Sequence, residues 1–363
     1  MSTVKQKRAW LKILCLTVLI LSGACITGHK KPEAALPLDL GKQIQPVPTH
    51  SVLADTAYYV WGGSMERTED GVCHLLYARW PKEKGFQGWL KTSEIAYATA
   101  DDPAGPYTFQ KTLLKGFGKG NWNEESAHNP HIKKFGDKYY LYFISHRKED
   151  LGLSDWLNHI FTQRIGVAIA DHPSGPWKVL PEPIIDYQEG KAANGYMVNP
   201  SVTQRPDGSY LMMFKSRPPN AEKSKEFKTI HCIATADSPT GPFTIAEKPI
   251  LTKATAEDPY VWYQRDRYYA LVKDMYAKYT GHKSLALFES FEGFDWQPSE
   301  HIMVTKTEII WESGDTTALR NLERPQLWFD ENGEPKMLFA AAWVKGQSDS
   351  LTFNVHIPLS DKK

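Results

Sequence analysis

The sequence predicts an all-β chain, a five-bladed β-propeller with four-stranded antiparallel blades, and three observations carry that prediction. The first is a recurring strand end. ATADDPAGPYTF from Ala98, AIADHPSGPWKV from Ala168 and ATADSPTGPFTI from Ala234 share A-D-x-P-x-G-P-aromatic at spacings of 70 and 66 residues, and ALFESFEGFDW from Ala286 is a degenerate fourth copy. Alternating apolar residues lead into each copy, and its Pro and Gly force a reversal. The second is a recurring strand opening, an X-Pro step followed by a short strand, a polar turn and an aromatic strand. It reads HNPHIKKFGDKYYLYF from His128, VNPSVTQRPDGSYLMMF from Val198, EDPYVWYQRDRYYALV from Glu257 and ERPQLWFDENGEPKMLF from Glu323. WGGSMERTEDGVCHLLY from Trp61 fits the same frame, with Gly63 at the position of the residue before proline. The third is composition: 17 Tyr, 15 Phe and 12 Trp with no amphipathic helix of three turns. Two separate β-sandwiches would not explain a repeat that runs the length of the chain.

In chain order, residues 1–25 come first as a lipoprotein signal peptide. Lys5, Lys7 and Arg8 precede the apolar LKILCLTVLILSGAC, the layout of an export signal and too short for a spanning helix. LSGAC resembles the bacterial lipobox, which makes Cys25 the expected lipidation site. Residues 26–50 read as a tether and residues 51–363 as the propeller. Export would leave Cys73 and Cys232 in the mature chain; each sits in an alternating apolar run, VCHLLY and IHCIATA, and reads as a buried small hydrophobe. The expected location is therefore the periplasm or cell surface, with the lipid anchor as the only membrane attachment.

Charge excludes one class of partner. With 43 basic and 42 acidic side chains, the chain has no electrostatic reason to bind nucleic acid.

The blade grammar points to a site. Proline cannot donate to a ladder, so an X-Pro step suits the first residues of a strand. If that strand is innermost in its blade, Asn129, Asn199, Asp258 and Arg324 converge at one channel mouth, with His128, Glu257 and Glu323 as neighbours. The second strand returns to the same mouth and the third leaves it, which adds Arg79, Trp80, His146, Lys215, Asp274 and His282, then Glu94 and Arg164. The candidate carboxylates are Asp258, Glu323, Glu94 and Asp274. Two acids in an aromatic-lined channel fit glycoside hydrolysis, which needs one protonated and one ionised carboxyl across the scissile bond. Trp61 and Trp80, with Trp89, Trp122 and Trp262, offer apolar faces to sugar rings. His128, Asn129, Asn199, Arg324, Arg164 and His282 complete the expected substrate-binding set. No dense oxygen-ligand cluster suggests a metal, so no cofactor is expected, with a channel cation such as calcium left open.

At these residues the chain resembles the glycoside hydrolases with a five-bladed propeller, the superfamily that includes families 43, 62, 32 and 117. The resemblance covers about Asp55 to Leu359. It implies a hydrolase acting on oligosaccharide or polysaccharide ends, with inversion the commoner outcome in the family 43 branch. It also implies an Asp base opening the first blade, a pKa-modulating Asp opening the second and a Glu acid in the third. This chain has Gly63, Asn129 and Lys215 there. Its acids lie mainly in blades four and five, so the chemistry has moved round the ring or been lost. In the latter case the protein is a sugar-binding surface lipoprotein. An interaction scaffold would instead present a flat, apolar mouth.

Overall fold

In a computed structural model of the chain, residues 37–218, 229–346 and 351–360 are described. They form five antiparallel sheets arranged as propeller blades. Blade 1 runs through Tyr58–Arg67, Cys73–Pro81, Glu94–Ala100 and Thr108–Leu114, and blade 2 through His128–Phe135, Lys138–Ser145, Arg164–Ala170 and Lys178–Val179. Blade 3 is Asn194–Gln204, Tyr210–Arg217, Ile230–Ala236 and Thr244–Ile245; blade 4 is Glu257–Gln264, Arg267–Asp274, Ser284–Ser290 and Gln297–Lys306. Blade 5 takes Thr316–Phe329, Pro335–Val344 and Thr352–Pro358 from the C-terminal part of the chain. Its outer strand, Val52–Leu53, comes from the N-terminal part and pairs with Val355 and Asn354. A short extra strand, Glu308–Ile310, pairs with the start of the blade 5 inner strand.

Hydrogen bonds between neighbouring inner strands close the ring. The Ile132 amide donates to Ser64 Oγ (3.1 Å), the Val202 amide to His131 Nε2 (3.0 Å), the Val261 amide to Ser201 Oγ (2.9 Å) and the Tyr260 hydroxyl to the Leu327 carbonyl (2.9 Å). Ser64 Oγ donates to Gln326 Oε1 (3.2 Å), which joins blade 5 to blade 1. Apolar clusters fill the spaces between blades; Cys73 and Cys232 are free, buried members of two of them.

The repeated strand ends do what their residues require. Gly105, Gly175 and Gly241 have φ of 95°, 81° and 81°, the region that favours glycine. Each glycine amide closes the turn on the carbonyl three residues back, Asp102, His172 and Ser238. In the degenerate copy Gly293 (φ 90°) closes on Ser290 Oγ instead.

Residues 38–47, expected to belong to a tether, dock on the propeller instead. Leu38, Leu40 and Val47 are buried in the blade 4 and 5 core, and Ile44 and Val47 bridge to Leu359 and Trp311. Apolar side chains at these positions account for the docking. Cys25 and the rest of the expected signal lie outside the described residues.

Candidate active site

Each blade opening carries a bulge. In blades 2 to 5 the register shifts between His128 and His131, Val198 and Ser201, Glu257 and Tyr260, and Glu323 and Gln326. The residue before proline is left-handed in all four: Asn129 φ 53°, Asn199 57°, Asp258 56° and Arg324 58°. Non-glycine residues rarely adopt this conformation, and its recurrence at one rim is backbone strain placed at a site. A bulge re-aims a side chain out of the pleat, and here the result is a hydrogen-bonded chain across the mouth. Asn129 Nδ2 donates to Asn199 Oδ1 (3.1 Å), Asn199 Nδ2 to Asp258 Oδ1 (2.6 Å) and Arg324 Nη1 to Asp258 Oδ1 (3.2 Å). The four residues expected to converge do so.

In blade 1 the shift falls between Trp61 and Gly63. Ser64 matches Ser201 in accepting an amide from the next blade, so Gly62, not Gly63, holds the position of the residue before proline. A Cβ on Gly62 would lie 3.0 Å from Arg324 Cβ. The arginine stem therefore packs where a blade 1 side chain would begin.

The mouth is a cavity of about 250 Å³, small beside sites for drug-sized ligands. Its apolar wall is Trp61 and Trp80 of blade 1 with Phe86, Trp89, Trp156 and Ile160 from insertions. The insertion in blade 1 holds the short helices Phe86–Gly88 and Trp89–Thr92. That in blade 2 is the helix Asp155–Phe161, N-capped by Ser154 Oγ. The floor is polar: His128, Asn129, Asn199, Lys215, Glu257, Asp258, Glu323 and Arg324, flanked by Gln163 and Tyr196.

Ion pairs organise the acids. Lys215 Nζ bonds Glu257 Oε1 at 2.9 Å, and Lys273 Nζ lies 3.7 Å from Glu257 Oε2 and in a close pair with Glu323 Oε1. Asp258 Oδ2 accepts the Arg324 amide at 3.2 Å, so both its oxygens are held. Glu323 Oε2 has no protein partner among the described residues. The two pKa values are pushed apart. Burial raises that of Glu323, helped by the charges of Asp258 and Glu257, and Lys273 does not fully offset this. Burial also works to raise that of Asp258, but Arg324, Lys215 and Lys273 outweigh it and hold the carboxyl below its usual range. Burial, with His146 and Arg324 nearby, keeps His128 neutral.

Of the expected residues, Asp258, Glu323, His128, Asn129, Asn199, Arg324, Trp61 and Trp80 line the cavity. Glu94, Asp274, Arg164 and His282 do not. Glu94 binds Arg79 Nε (2.8 Å) and Thr112 on the side of blade 1 turned from the mouth. Asp274 is fully buried and accepts the amides of Lys278, Tyr279 and Thr280, which organises its own turn. Arg164 pairs with Asp186 and donates to the carbonyls of Phe161, Gln163 and Gly195. His282 sits exposed in that Asp274 turn. Trp122 and Trp262 are packed in interblade clusters. Among the described residues no group of three or more His, Cys, Asp or Glu could hold a metal ion. The channel axis below the mouth is occupied by Gln326, bonded to Ser64 and to His131 Nδ1 (2.8 Å).

No family model matches the sequence. One curated protein, xylosidase/arabinosidase 43A of Humicola insolens, is 36% identical over 93 residues, 26% of this chain and 23% of its own length. Solved structures match far more extensively. Zg3597, a family 117 glycoside hydrolase of Zobellia galactanivorans, superposes with a TM-score of 0.61 at 15% identity, over 88% of this chain and 90% of its own. A GH43_1 enzyme of Xanthomonas citri complexed with xylotriose gives 0.57 at 16%, over 89% and 92%. CoXyl43, a β-xylosidase/α-arabinofuranosidase from a compost metagenome, gives 0.55 at 18%, over 90% and 96%. The chain has the five-bladed β-propeller fold of the family 43 and family 117 glycoside hydrolases.

Proposed function

We propose that the protein is a glycoside hydrolase that cleaves O-glycosidic bonds at the ends of oligosaccharides or polysaccharides by a two-carboxylate mechanism. The observation that carries this is a pair of cavity carboxyls with pKa values displaced in opposite directions, Glu323 up and Asp258 down, beneath a tryptophan wall. Environments that separate two carboxyls in this way distinguish the one that donates a proton from the one that stays ionised. The structurally similar GH43_1 enzyme of Xanthomonas citri is complexed with xylotriose and with xylose, which supports an oligosaccharide as the class of ligand. The small volume suits one terminal sugar ring.

Glu323 gives its proton to the leaving oxygen through the free Oε2. Asp258, clamped by Asn199 and Arg324, stays ionised and favours the positive charge that develops on the sugar ring. Glu257, with its side chain 15% exposed against 6% for Asp258, is the carboxylate a water can reach, and it takes the water's proton. That division fits inversion.

The chain is further proposed to be an exported lipoprotein anchored through Cys25. Cys25→Ser releases it from the membrane fraction with folding unchanged; membrane retention in that variant overturns the anchor. The activity is tested by incubating purified protein with plant and algal oligosaccharides labelled at the reducing end. Release of shortened labelled products is the expected outcome. Binding of a glycan without turnover supports the sugar-binding lipoprotein instead.

A further inference from the structure

The aromatic wall of the cavity is not uniform. Trp61 and Trp80 each pack on Phe86, with ring centres 5.4 and 5.5 Å apart, and Phe86 also lies 4.3 Å from Trp343. Trp61 and Trp80 are 7% and 2% exposed, so most of their ring area is spent on the protein's own core. Trp89 meets His128 edge-on at 5.2 Å. Trp156 lines the same cavity and is nevertheless 40% exposed. It stands at the lip, with part of its ring towards the cavity and part towards solvent.

That ring is carried on a fixed support, the helix Asp155–Phe161. Asp155 pairs with Lys148 Nζ (2.6 Å) and with Lys91 Nζ (2.9 Å), the latter from the blade 1 insertion. Asn158 accepts the Leu151 amide and donates to the Leu153 carbonyl. At the other end of the helix Ile160 and Phe161 are buried with Leu90. Exposed ion pairs add little each, but the buried end fixes where the exposed end stands. A single exposed apolar side chain is ordinary on a protein surface. One anchored at the rim of the cavity is placed where a chain entering that cavity must pass, and a ligand that covers it gains the apolar burial that the fold leaves unused.

The reaction supplies what passes. The cavity suits one terminal ring, and the bond to be cut joins that ring to the next. Glu323 lines the cavity, so the oxygen it protonates lies inside and the next ring emerges over the lip. We infer that Trp156 stacks on this second ring, the leaving-group side of the substrate, and so selects a glycan of two or more rings over a single sugar. This rests on the reading of the cavity as a sugar site. A tryptophan offers a large rigid face with little side-chain entropy to lose, and the C–H face of a pyranose is its apolar counterpart.

Calorimetry with the full chain tests it without requiring turnover. The probes are xylose, glucose and galactose, each beside its β-1,4-linked disaccharide with sulfur in place of the bridging oxygen, a linkage that resists cleavage. At least one disaccharide should bind about tenfold more tightly than its monosaccharide, the range of one good aromatic contact. Trp156→Ala should weaken that disaccharide at least about fivefold more than the monosaccharide, and Trp156→Phe should restore part of the margin. Equal losses for both ligands overturn the inference, because a structural role or a contact with the first ring produces them. A margin that Trp156→Ala leaves unchanged overturns it too. No margin in the wild type for any pair also overturns it, and if the oxygen-linked disaccharides are still cleaved, the hydrolase reading stands. A margin that depends on Trp156 with no cleavage of any oxygen-linked disaccharide supports the inference and removes the hydrolase reading. No binding of any probe overturns the inference.

Discussion

At the scale of single residues, catalysis turns on which carboxyl keeps its proton. Glu323 is raised and must be protonated to act as acid, so activity falls as pH rises through its folded-state value. Glu323→Gln abolishes that alkaline limb together with most of the rate. A pH–rate profile of the wild type without an alkaline limb, or an alkaline limb that survives the substitution, counts against the assignment. Parity separated the right residues from the wrong ones. Lys273 and Asp274 are neighbours on a strand and point to opposite faces; the sequence reading took Asp274, and Lys273 is the one beside the acids. Arg79 and Trp80 divide in the same way. One residue of register moves a side chain from the mouth to the interblade core, and no spacing in a single sequence fixes that parity at the end of a strand.

At the scale of elements, the bulged blade opening is the unit. The X-Pro steps were legible because proline is excluded from mid-ladder positions and because they recur. The bulge was not, because nothing in the sequence of blade 1 distinguishes Gly62, which holds the position of the residue before proline, from Gly63. The insertions were also hidden: Phe86, Trp156 and Gln163 belong to no repeat, and of the insertion residues only Trp89 was marked as a candidate for the wall. The left-handed backbone makes a prediction here. Asn199→Gly suits φ 57° and should cost stability mainly through the lost bonds to Asn129 and Asp258. Asn199→Val adds a β-branched side chain in that region and should cost about 1–2 kcal/mol more. Chemical denaturation of the two variants measures the difference; equal stabilities would show that the strain is not held at this position. Gly62→Ala puts a Cβ 3.0 Å from the Arg324 stem, so it should lower activity more than thermal stability. An unchanged rate would mean that Arg324 is free to move aside.

Across the whole molecule, five blades close through a strand borrowed from the N-terminal part of the chain, and the core holds neutral histidines. Burial pushes His131, His146 and His231 down to about 3. A group with a depressed folded-state pKa supplies stability above its unfolded value that is lost as pH falls. Here that loss runs from about 6.5 towards 3, at about 1.4 kcal/mol per pH unit for each histidine. Urea unfolding at pH 7, 5.5 and 4.5 should show this decline, and constant stability over that range would contradict it. The fold could be read from the sequence because its repeat is written five times. The site was read only as far as the repeat reaches.

The most direct test of the central claim is the hydrolysis rate of a labelled oligosaccharide by the wild type, Glu323→Gln and Asp258→Asn, with binding of the same glycan measured alongside. Each substitution keeps shape; the first removes the acid's proton and the second removes a charge. The wild type should cleave the glycan, and each variant should be slower by at least about a hundredfold while still binding it. Both variants cleaving at the wild-type rate would show that Glu323 and Asp258 are not the catalysts.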